Sequence, residues 1–400
     1  MEPTSIPSHI PADRVRNLSW YGWQDPEGDP PMSLSRSLSG ERLFYVPAGA
    51  RNPFGVWVLT RHDDMQAVLT DGEHFTNSHI AGWNNLAGVD ELMIPIELDP
   101  PDHTLYRKFM MPFFSRPSIE TMRPEMQRGA KRAVDAVVGL GKLDVVQHCY
   151  KMTSGAWCAL MGVNYEEVDR YIAHLWGMLH QYNVEIRFST AKEMMRAAEE
   201  IYTSHKGRAG AGLFNAFVNS TINGAAPTAS QCIGFILFQL LAGLDTMGTT
   251  AAWALRHLAG SPALQRELAT DSRKILPFVE EIFRRYAVLA TNRFVKKDID
   301  IDGVTLKAGD NVLLAGALAC MDAAHFSCPA DIQLGRKERH LAFGAGPHFC
   351  VGAPIARVQL PIALEEWLKQ IPSFRLQKGS PPTAHTGDLM GLDSLPLEWP

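Results

Sequence analysis

The sequence predicts a mainly α-helical protein with small β-sheets, an α+β order, on three observations. The stretch Thr228–Leu258 is apolar on nearly every helical face and runs for about thirty residues, or about 45 Å as a helix. From about 117 to 205 the apolar spacing is again helical, interrupted by proline and glycine. Strand-like alternation is confined to two places, near the start and in the last third.

Taken in order, residues 1–40 are rich in proline and serine and are expected to form an irregular segment packed on the domain that follows. Val56–Leu59 reads as a strand, and Asp63 as the N-cap of a short helix over Met65–Leu69. The stretch HKGRAGAGLF, 205–214, reads as a flexible connection. Thr228-x-x-Gln231 is a capping box for the long helix, and Gly260-Ser261-Pro262 stops it. A further helix is expected over about Pro277–Tyr286, and IDIDGVTL predicts a hairpin turning at Asp302-Gly303.

Composition narrows the function. A chain of 400 residues with 46% hydrophobic and 20% charged content is an ordinary globular protein, and a net charge of −5 argues against bulk nucleic-acid binding. The amino terminus has no basic or apolar signal region, and the most apolar run, Ile233–Leu244, is too short to span a bilayer. The six cysteines contain no CxxC pair, so five read as small core residues of a reducing, cytoplasmic protein. Cys350 is the exception.

The segment HLAFGAGPHFCVGAPIARVQL, 340–360, places Cys350 among Gly344, Gly346 and Gly352, just ahead of a helix starting near Ala353. Glycines allow a flat cofactor to approach the backbone, and a helix N-terminus lowers a thiol pKa. Zinc fits poorly, because His348-x-Cys350 offers two ligands with no second pair nearby.

Phe343-x-x-Gly346-x-x-x-Cys350-x-Gly352 resembles the haem-ligand signature of the cytochrome P-450 family. Ala242-Gly243-x-Asp245-Thr246 resembles that family's oxygen-binding groove, and Glu281-x-x-Arg284 its salt-bridged pair, with Arg336 as a third member. PFVEEIFRRY, GVTLKAGDNVLL and LPLEW are similar to the soluble bacterial camphor-hydroxylase branch. The resemblance implies one triangular haem-thiolate monooxygenase domain over 41–400, with haem b between the long helix and the cysteine loop.

It also implies roles. Cys350 is the axial iron ligand, and His103, Arg107, Arg293 and His348 hold the haem propionates. Ala242 and Thr246 share a helix face about one turn apart, while Asp245 points some 100° away. The threonine hydroxyl would steady the activated oxygen, and the aspartate would relay protons from solvent; the plainer alternative for Thr246 is a bond back to the Ala242 carbonyl. Gly243, costly in mid-helix, would loosen the helical ladder there for O₂ and an ordered water.

Camphor itself does not follow, because no tyrosine occurs between His79 and Asp99, where that branch carries its substrate anchor. Trp83, Met93, Ile96, Leu289, Thr291 and Leu389 are expected to line a small apolar pocket, and Asp388 to face solvent. The expected reaction is hydroxylation of a terpenoid, norisoprenoid or small aromatic substrate with O₂. Electrons would come from a [2Fe–2S] ferredoxin and its NAD(P)H-dependent reductase, serving a monomer that binds neither nucleic acid nor membrane. A peroxide-driven peroxygenase or isomerase, and a haem sensor or carrier without turnover, are the competing readings.

Overall fold

A computed structural model describes residues 6–25, 28–38, 40–49, 55–78, 92–181 and 183–400. They fall into two compact units, one of Met1–Ala81, Glu281–Cys350 and Thr383–Gly391, the other of Gly82–Glu280, Val351–Pro382 and Leu392–Pro400.

The first unit is built on a five-stranded sheet with the order Leu43–Val46, Val56–Leu59, Asn311–Ala315, Ala290–Val295, Phe75–Thr76. Val56–Leu59 pairs antiparallel with Leu43–Val46 and parallel with Asn311–Ala315. Every residue of these three strands is buried, so both faces of the sheet are covered. Leu43, Trp57, Leu59, Val312 and Leu314 enter one core cluster, and Phe44, Val46, Val58 and Leu313 the other. That is the period of two expected of strands.

The hairpin Ile299–Ile301 and Val304–Leu306 turns at Asp302 (φ 54°) and Gly303 (φ 74°), both left-handed as a type I′ turn requires. Two sequence expectations are corrected in this unit. Segment 1–40 is not wholly irregular, because Asp29 caps a helix, Pro30–Ser37, by accepting from the Met32 N–H, and Pro30 pre-sets its first turn. Nor is Asp63 an N-cap. The helix is His62–Thr70, and Asp322 accepts the His62 N–H at 3.1 Å while also bonding Arg61. A carboxylate distant in sequence caps this helix in place of the local one.

The second unit is mainly helical, with a small sheet of Arg375–Leu376, Pro396–Glu398 and Lys142–Asp144. Ala229–Ala259 forms with both arms of its capping box made, Gln231 N–H to Thr228 Oγ1 at 3.2 Å and Thr228 N–H to Gln231 Oε1 at 2.9 Å. It packs on Val146–Thr153, Val184–His205 and Val168–Leu179. Among the described residues it is the helix long and apolar enough to cross a membrane, but 72% of its most apolar window is buried inside the protein, as a core helix requires. Stretch 205–214 is not a flexible connection. A helix starts at Gly212, and the Asn215 and Asn219 amides bind the Arg208 and His205 carbonyls at 3.0 Å, stapling the turn.

Candidate active site

The cysteine loop is folded on itself by backbone bonds. Gly344 N–H donates to Leu341 O at 2.8 Å, Phe349 N–H to Gly346 O at 3.1 Å, and Cys350 N–H to Phe343 O at 2.9 Å. Gly346 is required on two counts. Its φ is 69°, and a Cβ there would come 2.5 Å from the Leu69 carbonyl. Phe343 meets Phe283 edge-on, with centroids 4.8 Å apart. Cys350 is exposed and His348 half-buried, and the helix Ala353–Gln370 begins three residues on with Gly352 as its N-cap. Arg293, on the strand Ala290–Val295 of the same unit, is buried.

Glu281, Arg284 and Arg336 are brought together, all buried side chains. Glu281 accepts two bonds from Arg284, at 2.8 and 2.9 Å, and two from Arg336 Nε, at 3.0 and 3.1 Å. Burial is the largest influence on the Glu281 carboxyl and pushes its pKa up. The bonds from Arg284, the Gln333 N–H and Arg336 outweigh it, so the group lies below the ordinary glutamate range. Arg284 also binds the carbonyls of Cys320, Pro329 and Asp331, so the network pins the chain that leads into the cysteine loop.

In the second unit, Ala242, Gly243 and Thr246 lie on a half-buried face of the long helix, while Asp245 is fully buried on another. Thr246 Oγ1 donates to the Ala242 carbonyl at 2.8 Å, the i−4 bond of the plainer alternative. The ladder at Gly243 is not opened for a ligand, and the helix is continuous. Gly243 instead makes room for the Trp157 indole, which would overlap any Cβ there. Trp157 Nε1–H donates to Gln239 O at 3.0 Å, the carbonyl four residues before Gly243.

Two residues not anticipated from the sequence hold Asp245. Its Oδ1 lies 3.0 Å from Tyr150 Oη and 2.9 Å from His180 Nε2. Burial, reinforced by the Asp245 charge, pushes the Tyr150 pKa well above the ordinary tyrosine range, so it remains a hydroxyl. Gly248 is the signal that could have revealed this, because a mid-helix glycine here removes the Cβ that would strike the Tyr150 ring.

His103 and Arg107 sit one turn apart on the helix Asp102–Met110, His103 buried and Arg107 half-buried. Burial first, then the Arg107 charge, lowers the His103 pKa. Among the pocket residues, Met93 is buried and Ile96 half-buried in the second unit. In the first, Leu289 is exposed and bridged to buried Leu389, and Thr291 stands half-buried opposite Leu314. Trp83, with its neighbours Asn84 and Asn85, lies outside the described residues. Asp388 does not simply face solvent, since it is half-buried and accepts from Tyr21 Oη at 3.1 Å.

The donor set suits haem. Cys149, Cys158, Cys232 and Cys320 are buried, and burial raises their pKa values, to about 12 for Cys158, 11 for Cys232 and 12 for Cys320. None of these is a thiolate near neutral pH. Among the described residues the cluster of three metal-ligating side chains is His62, Asp63 and His325. Its two rings stack face to face, 3.4 Å apart, with both Nδ1 atoms near Asp63 Oδ1, and it holds no cysteine. Cys350, outside that cluster, presents an exposed soft donor on a glycine-shaped loop. A macrocycle that brings its own equatorial nitrogens needs such a ligand, whereas a bare tetrahedral ion needs four.

The cytochrome P450 family model matches residues 141–398. A probable cytochrome P450 127A1 of Sinorhizobium fredii is 30% identical over 402 residues, covering 98% of this chain and 97% of that one. The cytochrome P450 monooxygenase PikC of Streptomyces venezuelae is 30% identical, with 87% of each chain covered. The solved structure of cytochrome P450 CYP101C1 matches with a TM-score of 0.86 at 26% identity, and that of CYP101J2 with 0.85 at 25%, each covering 99% of this chain and 100% of the other. With its mainly helical fold, small sheets and glycine-framed cysteine, the chain belongs to the cytochrome P450 family, as a monooxygenase whose cofactor is haem b with thiolate ligation of the iron.

Proposed function

We propose that the chain hydroxylates a compact apolar molecule of terpenoid, norisoprenoid or small aromatic type. One atom of O₂ enters an unactivated C–H bond and the other leaves as water, consuming two protons and two electrons. The electrons come from NAD(P)H through a reductase and a [2Fe–2S] ferredoxin. The observation that carries the reading is the acid–alcohol pair of the long helix. A fully buried Asp245 carboxylate stands beside Thr246 on the half-exposed face.

Bound haem supplies the iron at which O₂ is activated, and its thiolate ligand donates electron density that favours O–O cleavage. Cys350 is assigned as that ligand, with Phe343, Gly346 and Gly352 shaping its loop, and Ala242 and Gly243 of the long helix would also contact the cofactor. Two buried propionates need cations or donors, the role assigned to Arg107, Arg293, His348 and His103. His103, with its lowered pKa, serves as a neutral N–H donor at pH 7. Thr246 leaves the Ala242 carbonyl by rotating about χ1, which threonine in a helix does between two well-populated rotamers. Its hydroxyl can then donate toward the reacting oxygen, and Asp245 holds and releases the proton.

Trp83, Met93, Ile96, Leu289, Thr291 and Leu389 are assigned to a pocket that holds substrate by shape, each buried Å² contributing about 25 cal/mol. The six cysteines form no disulfide, which supports a cytoplasmic location. Solved relatives matching 99% of the chain support one catalytic domain over 41–400, for which we infer a monomer that binds neither nucleic acid nor membrane. A terpenoid and aromatic library, screened for the low- to high-spin shift of the ferric haem, tests the substrate class. Product per NADH with a ferredoxin system tests the reaction. Spin-state shifts only with charged or long-chain ligands, or turnover only with peroxide, would overturn it.

A further inference from the structure

Asp245 is a fully buried carboxylate, and among the described residues no lysine or arginine pairs with it. Its partners there are Tyr150 and His180, 95 and 65 residues away, and both meet the same oxygen, Oδ1. An ionised carboxylate only accepts, so Tyr150 donates its O–H and His180 its Nε2–H to that atom. Thr249 Oγ1, 3.1 Å from Tyr150 Oη, completes the set by donating to the phenol oxygen. Oδ2 has no hydrogen-bond partner among the described residues. This small polar network buries Tyr150, His180, Asp245 and Thr249 at no more than 2% exposure each.

Of the side-chain types in the network, imidazole is the one whose two ring nitrogens suit it to passing a proton on. His180 is the C-cap of the helix Val168–Leu179. Its ring lies flat on Trp176, centroids 4.5 Å apart, a face that attracts cations. Asn183, three residues on, is exposed.

The geometry points to His180 as the residue through which Asp245 regains its proton in each turnover, with Tyr150 holding the two in register. The proton leaves Nε2 and joins Oδ1, giving a neutral imidazole and a neutral carboxylic acid with no electron moved. Rotation about χ2 turns the new hydroxyl to the Oδ2 side, and water at the helix end recharges the imidazole. His180 acts through Asp245 and is a positioning residue. The inference rests on reading Asp245 as the acid group of the oxygenation.

The test uses ferric holoenzyme and infrared difference spectroscopy alongside turnover. His180→Phe, stripping the buried carboxylate of its N–H donor, should gain, relative to wild type, the carbonyl stretch of a buried protonated carboxyl that disappears in His180→Phe/Asp245→Asn. Its product formation should fall roughly 100-fold, the lower end of what a positioned acid contributes. His180→Gln retains an N–H donor but cannot shuttle a proton, so it should lose rate similarly, and it carries the test if the Phe variant does not fold. Full activity in His180→Gln, or no new carboxyl band in His180→Phe, would overturn the relay. Wild-type coupling in Asp245→Asn would overturn the reading of Asp245 itself.

Discussion

At the scale of single residues, thiol burial separates the cysteines into two kinds. Four are buried with raised pKa values, whereas Cys328 and Cys350 are exposed, and only Cys350 lies on the glycine loop. Cys350→Ser is therefore expected to lose the strongly red-shifted Soret band of the reduced CO complex, while Cys328→Ser keeps it. A retained band in Cys350→Ser would displace the ligand assignment. Thr246→Ala fills similar space and removes the hydroxyl now bonded to Ala242 O. Haem content and substrate affinity should stay unchanged while product per NADH falls severalfold and peroxide rises. Unaltered coupling would mean that the hydroxyl serves only its own helix. Asp245 and Thr246 can be singled out from the sequence because they are contiguous within one motif. Tyr150 and His180 cannot, because contacts across 95 and 65 residues leave no periodic trace in one sequence.

At the scale of elements, legibility followed how local the determining interaction is. The long helix was read to within a residue at each end because its capping box lies within four residues. The helix His62–Thr70 was mis-started because its cap comes from Asp322, some 260 residues on. At Gly243 the structure adds a packing reason, the neighbouring Trp157 indole, because packing partners, unlike propensities, cannot be read off one helix. Two opposing effects meet at Gly248. Helix propensity alone predicts that Gly248→Ala stabilises by about 1 kcal/mol. The added Cβ would strike the Tyr150 ring, and overpacking of this kind costs about 1–3 kcal/mol. The clash should win, lowering the thermal midpoint of the holoenzyme; a raised midpoint would show that the ring gives way. Glu281→Gln leaves Arg284 and Arg336 buried without their carboxylate. Breaking such a pair costs about 3–5 kcal/mol, so haem content on expression should drop sharply, and an unchanged yield of holoenzyme would contradict that account.

At the scale of the whole molecule, 46% hydrophobic content with a modest net charge of −5 already points to a globular chain with a buried core. What composition did not foretell is how acid-sensitive that core is. His148, in the helix Val146–Thr153, has its pKa lowered to about 4, chiefly by burial and then by Lys151, against an ordinary value near 6.5. Between those values the unfolded chain takes up a proton that the folded state refuses. Stability therefore falls as pH drops from about 6.5 to about 4, and this contribution levels off below. Buried His103 adds to the same slope, its pKa also lowered by burial and by Arg107. Glu281 acts lower down, because its carboxyl sits below the ordinary glutamate range. Its contribution is complete above that range and is lost as pH falls through the depressed value. Acid unfolding should thus show two regimes, a histidine limb from mildly acidic pH and a carboxylate limb beneath it. His148→Gln, neutral at every pH, should make the upper limb shallower without flattening it, since His103 remains, and leave the lower limb in place. Urea midpoints of wild type and His148→Gln between pH 7 and 4 decide the matter: the curves should converge toward acid, and parallel curves would remove His148 from the account.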